Sequence, residues 1–283
     1  MSTVHHTLAA EDFTGYLRTY HADAFDGAEP VEQVWDRYHL PEGTHVVNGK
    51  AWDRKKLLRD IESRRALGAP YELHIHEVNV EGRLAAARYT VSTPVLWKVQ
   101  SATETAVFAE IAEDGRVART TTFATTGAGW SGAGGETPYD SESRPAPGTV
   151  PAPRPGAGVE PTPAQDPAHF LHTYYTNGYD SAHPVAEVYD RLFTPDAVHE
   201  VVGKTMQRSG VLRALEESRA RKHTYPVEVH EALRDGNRFA ARYTTSQGGK
   251  RSKTQEVFVF GEFAEDGRVR FARFLLEPGR GAL

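Results

Sequence analysis

The chain has 283 residues, of which 39% are hydrophobic and 25% charged, with a formal net charge of −5 and no cysteine. This length is sufficient for two ordinary hydrophobic cores, and the missing cysteine excludes disulfides, thiolate metal sites and a cysteine nucleophile. Charges of both signs are interspersed without a basic stripe, so we expect no nucleic-acid partner.

The first residues, MSTVHHTLAAEDF, contain no apolar segment of signal-peptide length. No later stretch approaches the roughly 20 apolar residues that a membrane-spanning helix needs. We therefore expect a cytoplasmic protein with no membrane partner.

Most of the chain is a duplication. Residues 30–62 align with 184–216 without a gap, and the hexapeptide AEDGRV occurs at 112–117 and again at 264–269. An internal repeat of this length indicates two structural units of the same plan.

The stretch between the two copies consists mainly of glycine, proline, alanine and small polar residues. Such a composition buries little apolar surface and is typical of a linker. The sequence therefore predicts a first domain at 8–128, a linker at 129–165 and a second domain at 166–280.

Each copy begins with three helical patterns. The first span 12–25 and 167–179, and the third span 53–66 and 207–221. In the second helix, apolar residues recur at i, i+3, i+4 and i+7, which predicts a helix packed on a core. These residues are Val31, Val34, Trp35 and Tyr38, matched by Val185, Val188, Tyr189 and Leu192. A short extended piece, THVVNG or VHEVVG, separates the second helix from the third.

The period then changes from 3.6 to 2 residues. Four alternating segments follow in each copy, separated by Glu-Gly, Asp-Gly or similar turns. Such turns are the strongest short-range signals for β-hairpins. The order predicts an α+β domain in which three helices cover one face of a curved antiparallel sheet.

This element order, with the terminal hairpin sequence FAEIAEDGRV or GEFAEDGRV, resembles the NTF2-like superfamily, in particular SnoaL-like and ketosteroid-isomerase-like proteins. The resemblance covers nearly all of both copies. It implies two cone-shaped domains, each enclosing a pocket for a small-molecule substrate, and a pairing of the two sheets. The outward face that carries Phe108, Phe258 and Phe260 is the expected mating surface, with Glu104 and Glu256 in salt bridges. We expect this pairing within one chain, and a homo-oligomer is compatible with it.

Two equivalent histidines are the first candidates for chemistry. His45 and His199 share the inward parity of the short strand with Val47 and Val201. A buried imidazole needs a hydrogen-bond partner, so one interpretation is a structural histidine. The other is a general acid/base, for which imidazole suits neutral pH.

Tyrosines are the next candidates. Tyr89 and Tyr243 face inward with small neighbours and would donate to a carbonyl or epoxide oxygen, although plain packing is equally compatible. The resemblance adds Tyr20 and Tyr174 of the first helix as substrate contacts. We expect further substrate contacts from Trp52, Val47, Val107, Val201 and Val259.

The sequence departs from the carboxylates that the resemblance implies. Where ketosteroid-isomerase-like enzymes place an acid in the short strand, the candidates are Val46 or Val47 in the first copy and Glu200 or Val201 in the second. Only Glu200 is ionisable, and its parity is outward. Val107 and Val259 replace a second acid, and no inward Asp/Glu pair is found in either copy.

His74 and His76 form a His-x-His pattern, matched by Glu228 and His230. Transition-metal sites need three or more ligands, and exposed strand faces often carry such spacings, so we expect neither a metal nor another cofactor. Arg88 and Arg242, which precede the inward tyrosines, are expected on a solvated face.

Two functions remain open. The resemblance implies a SnoaL-like enzyme of polyketide or other secondary metabolism, acting as a cyclase, isomerase, dehydratase or epoxide-opening enzyme. The missing carboxylates favour a non-catalytic binding or scaffold protein. The asymmetry between Trp52 and Met206 also allows one copy to be catalytic while the other supports it.

Overall fold

The computed structural model describes residues 12–68, 70–94, 100–126, 166–180, 183–246 and 254–276. The predicted linker at 129–165 lies outside the described residues. Across these ranges no helix is long and apolar enough to cross a membrane.

The same elements recur in the same order in both halves. The first half contains α1 Phe13–His21, α2 Val31–Tyr38, β1 His39–Val47, β2 Lys50–Trp52, α3 Arg54–Leu67, β3 Glu72–Glu81, β4 Leu84–Pro94, β5 Gln100–Ile111 and β6 Val117–Thr126. The second contains α4 Pro167–Tyr175, α5 Val185–Leu192, β7 Phe193–Val201, β8 Lys204–Met206, α6 Arg208–Ala220, β9 Val227–Asp235, β10 Arg238–Ser246, β11 Thr254–Phe263 and β12 Val269–Leu275. The predicted tandem α+β architecture is confirmed.

Each half forms a six-stranded sheet, in the orders β2-β1-β6-β5-β4-β3 and β8-β7-β12-β11-β10-β9. The four-strand meander is antiparallel as predicted, whereas β1 and β7 pair in parallel with the last strand of their own sheet. The sheets are therefore mixed. This parallel pairing brings the short strand, with its histidine, beside a segment 75 residues away.

The helices begin where the sequence predicts. Asp12 and Asp53 accept hydrogen bonds from the backbone N–H of Gly15 and Lys56, both at 2.7 Å, which caps α1 and α3. One π-helical turn follows α1 and another follows α4, at Ala22–Asp26 and Thr176–Asp180. Arg65 and Arg219 at the ends of α3 and α6 donate to backbone carbonyls of these turns.

The hairpins that follow β1 and β7 use left-handed backbone at both central residues. Asn48 and Gly49 have φ of 49° and 70°, and Val202 and Gly203 have 49° and 72°. Asn-Gly suits such a turn, whereas a β-branched residue rarely adopts positive φ. The second copy therefore carries backbone strain at Val202 that the first copy avoids.

The two faces of each sheet serve different purposes. On β4, Ala85 and Ala87 pack into the core beneath the helices, while Ala86 packs on the opposite face. That opposite face meets the sheet of the other half. Its apolar centre consists of Ala86, Ala106, Phe108, Phe123, Leu233, Ala240, Phe258, Phe260 and Leu275. The predicted mating surface is confirmed, and the two halves pack sheet to sheet within one chain.

Ion pairs surround this apolar centre. Between the halves, Arg119 contacts Glu231 at 2.9 Å and Arg273 approaches Glu77 at 3.8 Å. Glu200 faces outward as predicted and pairs with Arg273.

The expectation that Arg88 lies on a solvated face is wrong. Arg88 is 2% exposed and binds the carboxylates of Glu77 and Glu104, because the sheet of the second half covers the outer face of β4. Arg242 binds Glu231 and Glu256 in the equivalent place. Glu104 and Glu256 thus form salt bridges on the mating face, as predicted, but with arginines of their own sheets.

Candidate functional site

His45 and His199 are both buried on the inner face of their sheets, with 5% and 2% of their surface exposed. Burial lowers the pKa of each ring to about 4. Both imidazoles are therefore neutral at pH 7, with one nitrogen protonated and one carrying a lone pair.

The two equivalent rings are held by opposite nitrogens. Nδ1 of His45 lies 2.8 Å from the hydroxyl of Thr120. In the second domain, Nε2 of His199 lies 2.9 Å from the hydroxyl of Tyr189. The strand register places Ala272 opposite His199, where Thr120 lies opposite His45, so the second copy lacks the threonine hydroxyl.

Nε2 of His45 is buried and has no hydrogen-bond partner among the described residues. Trp35 stands where the second copy has Tyr189, and its ring meets His45 edge-on at 5.0 Å without supplying a hydroxyl. A buried N–H without an acceptor is rarer than an unused acceptor. We therefore assign the proton to Nδ1, which donates to Thr120, and the lone pair to Nε2.

A second imidazole, His39, lies next to His45, with the ring centroids 5.3 Å apart. It stacks on Trp35 at 3.8 Å, and its Nε2 lies 3.4 Å from the hydroxyl of Tyr16. Burial, and then the neighbouring His45, hold the pKa of His39 well below its ordinary value. Sequence reasoning missed His39 because it searched for residues shared by both copies, and the second copy has Phe193 there.

The tyrosines of the first domain surround these rings at different distances. Tyr20 meets His39 edge-on at 5.0 Å. Tyr89 meets His21 at 5.2 Å rather than His45, and burial raises the pKa of Tyr89 to about 12. Both phenols remain protonated at neutral pH and can act only as neutral hydrogen-bonding groups.

In the second domain the aromatic groups satisfy one another. Tyr243 and Tyr175 share a hydrogen bond of 2.8 Å between their hydroxyls. A hollow of about 10 Å³ remains beside His199, which is room for about one water molecule. Its lining includes Tyr174, His199, Val201, Met206, Ala214 and Phe274. This interior is filled by the protein itself.

The equivalent positions of the first domain carry more polar side chains. These positions are occupied by Tyr20, His45, Val47, Trp52, Asp60 and Thr122. Asp60 stands at the position of Ala214 and forms an ion pair with Arg64 at 2.9 Å. The pKa of Tyr20 is raised mainly by burial, and the neighbouring Tyr89 and Asp60 raise it further. Sequence reasoning overlooked Asp60. A comparison of differences between the copies, rather than shared residues, would have found it.

The remaining predicted substrate contacts are partly half-buried and partly buried in the apolar cores. Trp52 lies directly opposite His45 in the strand pairing and is half-buried, with the ammonium of Lys56 4.0 Å from its ring. Val47 is also half-buried. Val107 and Val259 are buried in the apolar cores beneath the helices.

The His-x-His strand does not contribute to either interior. His76 hydrogen-bonds Thr90 at 2.8 Å, and desolvation lowers its pKa to about 3, with Arg88 adding to the effect. His230 contacts Thr244 at 3.1 Å. In the ranges that the structure describes, no three His, Asp or Glu side chains are grouped closely enough to hold a metal ion.

No protein-family model and no curated protein matches the chain. One similar solved structure is IdmH of Streptomyces antibioticus, described as a candidate polyketide cyclase. It is 15% identical to this chain, the match covers 40% of this chain and 94% of IdmH, and the TM-score is 0.34. An LEH-like epoxide hydrolase of M. tuberculosis has 18% identity, covering 40% of this chain and 83% of its own, with a TM-score of 0.32.

A protein of ketosteroid isomerase-like fold from Catenulispora acidiphila has 11% identity, covering 39% of this chain and 87% of its own, with a TM-score of 0.33. Identities at this level do not transfer residue roles. The side chains of this chain have to carry the functional argument.

Proposed function

We propose that the first domain binds an apolar, oxygenated small molecule and transforms it by acid/base chemistry, with Nε2 of His45 as the proton acceptor. The reaction belongs to the SnoaL-like group of cyclisation, isomerisation, dehydration or epoxide opening, in polyketide or other secondary metabolism. The second domain holds the first in place and has no turnover of its own.

The observation that carries the proposal is the unpartnered Nε2 of His45. A buried polar atom without a hydrogen bond costs about 1–3 kcal/mol, and a ligand hydroxyl that reached Nε2 would remove this cost. The equivalent atom of His199 is held by Tyr189 and is not free to bind a ligand.

The neighbouring side chains supply the other roles. Thr120 positions the ring of His45 through its hydrogen bond to Nδ1. Tyr20, whose pKa is raised by burial, is the donor to a substrate oxygen, and Tyr89 is the alternative donor. Asp60 adds a carboxylate at the wall of the site, ion-paired to Arg64. A neutral imidazole of low pKa is ready to accept a proton at pH 7 but is a weak base, so the expected gain lies at the lower end of the usual range.

The test compares two equivalent substitutions on a panel of apolar epoxides and β,γ-unsaturated ketones, with products detected by mass spectrometry. His45→Gln is expected to lower kcat/KM by about 10²-fold, and His199→Gln to leave it unchanged per folded molecule. Turnover that survives His45→Gln in a folded protein contradicts the proposal. Equal losses from both substitutions contradict the assignment to the first domain.

A non-catalytic binding protein is the second candidate, favoured by Val107 and Val259, which occupy the apolar cores where the resemblance implies a catalytic acid. Thermal stabilisation of the wild type by a panel compound, without product formation at any pH, would support binding alone.

A further inference from the structure

The two halves contribute different side chains to the apolar centre of the mating face. The equivalent positions on β5 and β11 hold Ala106 and Phe258, which lie opposite Phe123 and Leu275 in their own sheets. Ala106 and Phe258 are both 0% exposed. The first half therefore presents a methyl group at a buried position where the second half presents a phenyl ring.

The ring of Phe258 packs against the other half. Its centroid lies 5.8 Å from the ring of Phe108 and 5.9 Å from the ring of Phe123. Phe108 also lies 6.2 Å from Phe260, which is its own counterpart in the second half. Because a residue meets its own counterpart only near a twofold axis, this pair marks the pseudo-twofold axis between the halves. Phe258 lies on one side of this axis, and Ala106 occupies the related place on the other side.

The observed interface thus has one ring and one methyl group across the axis. A pair of two first halves would put Ala106 on both sides and would lose the ring that packs against Phe108 and Phe123. A pair of two second halves would put Phe258 on both sides, in a centre where neither position has exposed surface. Close-packed interiors are destabilised by a missing side chain and by an added one, so both like pairs fit worse than the unlike pair.

The ion pairs around the apolar centre do not distinguish the partners. Arg119 of the first half contacts Glu231 of the second at 2.9 Å, and Arg273 of the second approaches Glu77 of the first at 3.8 Å. Glu77 and Glu231 are equivalent residues of the two copies. Each half therefore offers both an arginine and a glutamate, which a like pair would also bring together. The shapes of the apolar side chains decide which halves fit.

We infer that the mating face of each half recognises the face of the other half and excludes a second copy of itself. The first half fits a sheet with a ring at the position of Phe258, and the second half fits a sheet with a small side chain at the position of Ala106. The chain is in this sense a covalent heterodimer of two diverged domains. The side chains of the mating face, rather than the linker, select the pairing.

The first experiment moves the ring from one side of the axis to the other in the full chain. Phe258→Ala removes the ring and Ala106→Phe adds a second one, so each substitution alone should lower the free energy of unfolding in urea. The double variant again has one ring and one methyl group, and it should lose less than the more damaged single variant. A loss as large as that of this single variant, or larger, overturns the inference, since residues that do not interact have additive effects.

Phe274→Ala supplies the matched control. Phe274 is 2% exposed but belongs to the core beneath the helices, away from the mating face. Adding Ala106→Phe to Phe274→Ala should bring no recovery, because the new ring does not replace the missing one. Recovery in this combination would mean that a ring at position 106 stabilises the chain wherever the other ring is lost, and it would overturn the inference.

The second experiment tests the choice of partner directly. A protease site is inserted in the predicted linker at 129–165, the purified full chain is cut, and unlabelled and isotopically labelled samples are mixed. Urea is raised until labelled and unlabelled halves have exchanged and is then removed, and the pairs are counted by native mass spectrometry. Unlike pairs should outnumber like pairs by at least about tenfold, the ratio that the lower end of the usual cost of overpacking gives. A smaller excess of unlike pairs overturns the inference.

Discussion

Replacing His199 should reduce the acid sensitivity of the fold by a calculable amount. His199 is 2% exposed, and burial lowers its pKa to about 4, against about 6.5 for an unfolded histidine. In the window between these values the unfolded chain binds a proton that the folded chain excludes. The contribution to stability is therefore present above pH 6.5 and is lost progressively as the pH falls towards 4.

The magnitude follows from the two pKa values. A shift of about 2.5 units corresponds to about 3 kcal/mol when the loss is complete, and about 2 kcal/mol of this is lost between pH 7.5 and pH 5. His199→Gln removes the titrating group and keeps a side chain that can hydrogen-bond Tyr189. The variant should therefore lose about 2 kcal/mol less stability than the wild type over this pH range.

The assay is urea unfolding at pH 7.5 and pH 5, followed by circular dichroism. His172→Gln is the matched control, because His172 is exposed on the same domain. It should show the pH dependence of the wild type. If His199→Gln loses as much stability as the wild type between the two pH values, His199 is not held neutral by burial and the reasoning is refuted.

Three further outcomes are expected. Arg88→Met removes the arginine that binds Glu104 and leaves Glu77 with Arg273 at 3.8 Å, and should cost about 3–5 kcal/mol in urea unfolding at pH 7. The cost should be smaller at pH 5, where a buried carboxylate without its arginine takes up a proton, and a cost independent of pH would contradict the buried ion pairs. Val202→Asn removes the backbone strain of a β-branched residue at φ 49° and should raise the free energy of unfolding by about 1 kcal/mol. Asn48→Val introduces the same strain in the other domain and should lower it. For any substrate that is turned over, the acid limb of the kcat/KM profile should lie near pH 4, the pKa that burial sets for His45, and a limb near 6.5 would mean a solvated ring.

The sequence alone was sufficient for the tandem α+β architecture and for the face on which each strand residue lies. These features depend on periodicity and turn chemistry, which are local properties that repetition reinforces. The alternation along β4 and β5 put Phe108 on the mating face and Tyr89 on the inner face before any pairing was known. It could not reveal that a second sheet covers Arg88, because the environment of an outer face depends on what packs against it.

The chemistry of the interior was decided by contacts between distant segments. Thr120 holds Nδ1 of His45 across 75 residues, and Tyr189 holds the opposite nitrogen of His199 from a helix. No local pattern distinguishes these two arrangements, since both copies place a histidine at an inward position of the short strand. Which nitrogen is free depends on the hydrogen-bond partner that the strand register and helix packing bring to the ring. The tertiary structure therefore gave the two equivalent imidazoles different hydrogen-bond partners.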